Sequence, residues 1–210
     1  GVATANSPQR PFTDHGKMFR SNEIGVQNSI DPSLLQYEGR NYLVWGSFRG
    51  IYVIELTADG LSIMSGAKKK RIAGTAFEAV YIHKHGDYYY MFASIGSCCQ
   101  GVKSTYKVVV GRSKKVWGPY KDKTGKPMLK NGYSLVIGAN DHFVGNGHGS
   151  QIIQDDAGQD WLLYHGFSRS TPENGRILLL DQIKWDQEGW PYVEGGSPSY
   201  ETQKAPVFNN

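Results

Sequence analysis

Asp31 and Glu78 are the two acids whose placement could do chemistry. Each opens an apolar stretch, DPSLLQYEG and EAVYIHKHG, and each stands eight residues ahead of a glycine, Gly39 and Gly86. A carboxylate in such a place is either a solvated strand end or a group held in a closed site to move a proton. Two carboxylates brought together can divide the work of bond cleavage: one keeps a proton and donates it, while the second activates water or attacks. Asp31 precedes Pro32, so its plain alternative is a turn cap. His148 sits in the glycine-rich GNGHGS, where a flexible turn is the default reading, and the other five histidines have no metal-like spacing. Cys98 and Cys99 are adjacent. Adjacent cysteines form a strained ring, so the sequence predicts no conventional staple, and the pair reads as packed loop residues or as a pocket wall.

The elements that position these residues come from an internal repeat. DPSLLQYEGRNYLVWGS, EAVYIHKHGDYYYMFAS and SQIIQDDAGQDWLLYHG align with their glycines, Gly39, Gly86 and Gly158, in register. In each, an apolar strand leads to the glycine and an aromatic-rich strand follows, which predicts a β-hairpin repeated three times. A third apolar run follows each hairpin: IYVIEL, YKVVVGRS and RILLLDQIKW. An outer strand or loop then follows, seen as GPYKDKTGKPML and GWPYVEGG. Four short antiparallel strands per unit is the pattern of a β-propeller, because a sandwich has no need of the same hairpin with the same internal spacing three times.

Composition agrees with an all-β chain. There are 26 Gly, 13 Tyr and 5 Trp in 210 residues, and these residue types favour turns and strands over helices. Lys and Arg number 23 against 19 Asp and Glu. The one basic cluster, Lys68 to Arg71, reads as a solvated loop rather than a nucleic-acid surface. No apolar run reaches 18 residues, so no membrane-spanning helix is predicted, and GVATANSPQR shows no signal-peptide pattern.

The start of the chain aligns without a gap on a later stretch: GVATANSPQRPFTD on VVGRSKKVWGPYKD. The expected organisation is one domain, 1–210, in which residues 1–27 end an incomplete blade and 28–74, 75–145 and 146–200 form successive blades. Roughly three and a half blades cannot close a ring. The expected complement is on the order of 70 to 110 residues, N-terminal to Gly1 or on another chain.

In a propeller the innermost strand of each blade runs along the central channel. Asp31, Glu78 and Ser150 share one offset, so two carboxylates from adjacent blades converge on one funnel. Paired carboxyls beside aromatic surface suit glycosidic bond cleavage: an acid protonates the leaving oxygen, and a second carboxylate activates water or attacks the sugar.

These residues resemble a known family. NSIDPSLLQYEGRNYLVWGSF, FEAVYIHKHGDYYYMFAS, GSCCQGVKSTYKVVVGRS, GNGHGS and RILLLDQIKWDQEGWPYV together are similar to glycoside hydrolase family 43, in particular its arabinanases. The resemblance runs from Asn28 to Val193. It implies a five-bladed propeller that hydrolyses α-1,5-linked arabinan or arabino-oligosaccharides with inversion. It also implies Glu78 as general acid, Asp31 as the residue that tunes Glu78 and orients the sugar, and His148 near one channel calcium ion held largely through water. Two departures stand out: Val80 replaces the proline usual two residues after the acid, and the family's general base lies on a first blade, so no base is named. Asn28, Ser47, Phe48, Cys98, Cys99 and Arg176 are candidate substrate contacts. An exo-acting arabinanase, an arabinofuranosidase and a non-catalytic arabinan-binding fragment are the alternatives. The polymer substrate implies an extracellular or periplasmic location, with no nucleic-acid or membrane partner.

Overall fold

Alternation of apolar and polar residues builds the chain almost entirely from antiparallel strands. The computed structural model describes residues 1–209. A short hairpin, β1 (Ala3–Thr4) with β2 (Thr13–Asp14), precedes a single helical turn, α1 (Ser21–Ile24). The first four-stranded sheet is β3 (Ser33–Tyr37), β4 (Arg40–Trp45), β5 (Ile51–Glu55) and β6 (Lys70–Ala73), in that spatial order. The second is β7 (Glu78–His85), β8 (Tyr88–Ile95), β9 (Lys107–Ser113) and β10 (Ser134–Ile137), again in sequential order. The third contains β11 (Phe143–Gly147), β12 (Ile153–Gln154), β13 (Asp160–Ser168), β14 (Arg176–Trp185) and β15 (Pro191–Tyr192). These are β-propeller blades; the first two keep their strands in meander order, and in the third β11 and β12 both pair with β13.

The middle sheet shows why the blades stack. Along β8, Met91, Ala93 and Ile95 enter one core, which they share with Val44, Ile51 and Val53 of the first sheet. Tyr90 and Phe92 enter a second core with Leu162, Tyr164 and Ile183 of the third. The period of two along a strand assigns neighbours to opposite faces, so one sheet is buried on both sides. Aromatic side chains fill the wedges between blades. Tyr37 and Tyr42 pack on Trp117 with ring centroids 5.8 and 4.6 Å apart, and Tyr90 meets Trp185 at 4.9 Å. Trp117, Trp185 and Trp190 therefore serve inter-blade packing, while Trp45 packs on Phe19 and Tyr52 beside its own sheet. The aromatic richness read from the sequence as sugar-binding surface is mostly spent on that packing.

The three hairpins match in sequence spacing but differ in their turns. The first closes between Tyr37 and Arg40 around Glu38-Gly39, both at positive φ, the twist that suits a two-residue hairpin. The second closes between His85 and Tyr88 around Gly86-Asp87, so its glycine is first in the loop rather than second. Glu78 therefore stands one residue further from its turn than Asp31 does, and a bulge between Glu78 and Tyr81 absorbs the difference. The third turn spans 155–159.

Three elements differ from the sequence expectation. The outer strand of the second sheet is β10; the segment GPYKDKTGKPML forms only isolated bridges, Arg112 to Lys121 and Lys121 to Pro127. Lys70 and Arg71, read as loop, lie in β6, where exposed basic side chains suit a sheet edge because they discourage pairing with another chain. The inner strand expected from Ser150 is divided: β12 pairs with the start of β13 and β11 with its end, so the third sheet begins at Phe143. The expected self-similarity of the start of the chain is visible in the backbone. The Thr4 to Thr13 pairing repeats the Arg112 to Lys121 bridge at the aligned positions.

Phe92 is fully buried and stacks on Tyr81 with ring planes 2° apart and centroids 5.1 Å apart. Phe92→Ala is expected to cost about 3–5 kcal/mol, read as a lower urea midpoint with an unchanged m-value.

Candidate active site

The inner-strand entries of the first two blades and the segment between β11 and β12 of the third line one cleft of about 250 Å³. Its lining includes Asp31, Pro32, Ala79, Val80, His148 and Ser150. The backbone there is strained in a repeated way. Asn28, Asp31, Phe48, Ala79 and His148 all have φ between 50 and 55°. The left-handed region costs a non-glycine residue on the order of 1 kcal/mol, and such residues persist where surrounding contacts over-determine them. Among the other described non-glycine residues only Glu38 and Asn131 have a positive φ of this kind.

Those contacts run from blade to blade. The Ala79 amide donates to Asp31 Oδ2 at 3.0 Å, so the first acid holds the backbone immediately after the second. Ser47, at the end of the first hairpin, donates its hydroxyl to Glu78 Oε2 at 2.8 Å. Ser94, at the matching place in the second hairpin, accepts from the His148 amide at 2.8 Å. The first two blades thus each use a serine at the end of the hairpin, Ser47 and Ser94, to hold the inner-strand entry of the next blade. Phe48 supports the first of these joints, its amide donating to the Phe77 carbonyl at 2.9 Å. Asn28 steadies the same loop by donating from Nδ2 to the Ser47 carbonyl at 3.1 Å.

Glu78 is buried, with 7% of its surface exposed. Around it stand the Ser47 hydroxyl and the phenol of Tyr106. Burial, and then the neighbouring Glu78 carboxylate, push the Tyr106 phenol far above its ordinary range, so it stays protonated and remains a donor. Its oxygen lies 3.4 Å from His148 Nδ1. His148 Nε2 faces Asp31 Oδ1 at 3.9 Å, beyond hydrogen-bond length. Tyr106 needs Gly147 beneath it, because a Cβ there would lie 2.3 Å from the phenol ring. His165 extends the cluster, stacked 5.7 Å from Tyr106 and 6.3 Å from His148. Neither of its ring nitrogens has a partner among the described residues. Burial, helped by the charges of Arg176 and His148, lowers its pKa to about 4.

The structure thus gathers Asp31, Glu78, Asn28, Ser47, Phe48 and His148 into one constellation. Arg176 begins β14, exposed, and acts on the group only through its charge on His165. Cys98 and Cys99 lie on the loop after β8 and are joined to each other by a disulfide, where the sequence predicted no such bond. The strain of the small ring made the bond an unexpected one, and the loop conformation accommodates it. Sequence reasoning missed Ser94, Tyr106 and His165. Ser94 was discoverable, since it aligns with Ser47 across the repeat. Tyr106 sits inside the CCQGVKSTYKVVVGRS run, but nothing in spacing assigns it a neighbour.

His165 is depressed below the ordinary histidine value in the folded chain, so the unfolded chain binds more protons between about pH 6.5 and 4. Its contribution to stability is complete above that window and is lost as pH falls through it. His165→Phe is expected to flatten the dependence of Tm on pH between 6.5 and 4; an unchanged slope would assign the acid sensitivity to other groups.

The profile of "Glycosyl hydrolases family 43" matches residues 1–191. The extracellular exo-α-(1→5)-L-arabinofuranosidase ArbA of Cellvibrio japonicus is 38% identical over 205 residues, covering 90% of this chain and 58% of that protein. The extracellular endo-α-(1→5)-L-arabinanase 1 of Bacillus subtilis is 36% identical, covering 91% and 59%. The chain spans about three fifths of the length of these curated relatives. Among solved structures, the α-L-arabinanase of Cellvibrio cellulosa complexed with arabinohexaose superposes with a TM-score of 0.80 at 34% identity, over 91% of this chain and 65% of that one. The arabinanases of this family are five-bladed propellers, the fold to which the three sheets belong. By the extent of these matches, the chain belongs to glycosyl hydrolase family 43.

Proposed function

We propose that the protein hydrolyses α-1,5-linked arabinan with inversion, with Glu78 as general acid. The observation that carries this reading is a buried carboxyl, held by Ser47 and faced by Tyr106, at a mouth formed by three blades. It is supported by relatives whose names state action on (1→5)-linked arabinan. In the reaction, Glu78 gives its proton to the glycosidic oxygen as the bond from that oxygen to the anomeric carbon breaks. Water attacks the anomeric carbon from the opposite face and gives up its proton to a base carboxylate. Inversion places acid and base about 6.5–9.5 Å apart. No residue of this chain is assigned as that base.

Asp31 acts through the backbone. By binding the Ala79 amide it fixes the direction of Glu78, and its second oxygen, opposite His148, would orient the sugar. A channel calcium ion fits the donor set at His148. The 3.9 Å gap leaves His148 Nε2 and Asp31 Oδ1 unspent on each other, and the adjoining cleft has room for bound water. His148 would supply one ligand of a largely hydrated ion. Meeting the polymer outside the cell accords with the word extracellular in the names of both relatives.

Glu78→Gln in the intact protein is expected to lower kcat on linear arabinan about 10²–10⁴-fold. A nitrophenyl arabinofuranoside, whose leaving group needs no proton, should be cleaved with a much smaller loss. Near-normal turnover of arabinan would remove Glu78 from the mechanism. The mode of attack is read from products on debranched arabinan: one short product from the first minutes marks exo action, and a mixed ladder with falling viscosity marks endo action. Arabinan binding without hydrolysis would mark a binding protein instead. For the ion, calcium titrated into chelator-stripped protein should bind more weakly in His148→Ala, whereas equal affinity would exclude that histidine as a ligand.

A further inference from the structure

The lower end of β7 carries a second group of ligating side chains. His83 and His85 are two residues apart on one strand and so project from the same face. The face they share meets the start of β13, where Asp160 is 5% exposed. One ligand atom from each of His83, His85 and Asp160 lies within 4.8 Å of the other two. The sequence showed no metal-like spacing here, because the third member comes from the next blade, 75 residues along the chain.

The surroundings of Asp160 are those of a held ligand. Trp185 Nε1 donates to Oδ2 at 2.8 Å and Gln154 Nε2 donates to Oδ1 at 3.2 Å. One hydrogen bond on each oxygen fixes the carboxylate plane and leaves a lone pair free on both. His85 Nδ1 stands 3.8 Å from Oδ2, too far for a hydrogen bond. Two ligands of one tetrahedral ion, with bonds of about 2.0–2.2 Å, stand about 3.3–3.6 Å apart. Bringing three atoms from within 4.8 Å to that spacing takes a movement of about 1 Å, within reach of side-chain rotation. The His85 ring lies flat on the Trp185 indole, 3.7 Å between centroids and 9° between planes, which allows sliding without loss of contact.

We infer that His83, His85 and Asp160 form a binding site for a borderline divalent transition metal, Zn²⁺ being the best match, clamping the second blade to the third. Two neutral imidazoles and one carboxylate are a common donor set for such ions, with a fourth position left to water. The site joins the second and third sheets, and His83, its member nearest Glu78 along β7, is five residues, roughly 17 Å, from that acid.

Zn²⁺ is titrated calorimetrically into the intact protein, with calcium held in excess so that any hard-cation site is filled. One ion should bind, and His83→Gln and His85→Gln should each weaken it at least tenfold, while His148→Gln leaves it unchanged. Cu²⁺ bound at the same place should quench the indole beside His85, and Trp185→Phe should remove that part of the quenching. Zn²⁺ binding that survives both His83→Gln and His85→Gln, that depends on His148, or that is absent from the wild-type protein overturns the proposal.

Discussion

The hydrogen bond from the Ala79 amide to the Asp31 carboxylate joins two blades at the point where both inner strands begin. It is the constraint on which the site depends. It holds Ala79 in the left-handed region, that conformation belongs to the bulge between Glu78 and Tyr81, and the bulge sets how Glu78 enters its strand. Ser47 then takes one oxygen of Glu78, and Asn28 and Phe48 hold the Ser47 loop from either side. Removing a buried partner from such a chain leaves the remaining polar group desolvated and unpaired, which costs more than the bond itself contributes.

Strain and rigidity are linked in this arrangement. Five residues at the mouth adopt a conformation that glycine would take freely, yet none of them is glycine. Asp31 and Asn28 hold the backbone through their side chains, whereas Ala79 and Phe48 are held through their amides. The cost is met by the cores behind them, where sheet two is buried on both faces. The mouth is therefore stiff because the blades are packed.

Much of this was legible in the sequence. The repeat with glycines in register predicted hairpins, hairpins in series predicted blades, and blades predicted the convergence of Asp31 with Glu78. Turn detail was less legible. Gly39 and Gly86 align in sequence, but one is second and the other first in its loop, because a two-residue turn accepts glycine at either place. The outer piece of the second sheet, read as strand or loop, is a loop with single bridges, and the outer strand β10 follows it.

The sequence by itself determined the periodicity, the all-β architecture, the family and the two acids, because each of these is carried by residue type at fixed spacing along one chain. Only the tertiary structure decided which groups stand beside Glu78, that Cys98 and Cys99 are bonded to each other, and that Asp160 completes a cluster with His83 and His85. The physical reason is the same in the first and last cases. Contacts between neighbouring blades join residues tens of positions apart, and no local pattern of apolar and polar residues records which of them will meet.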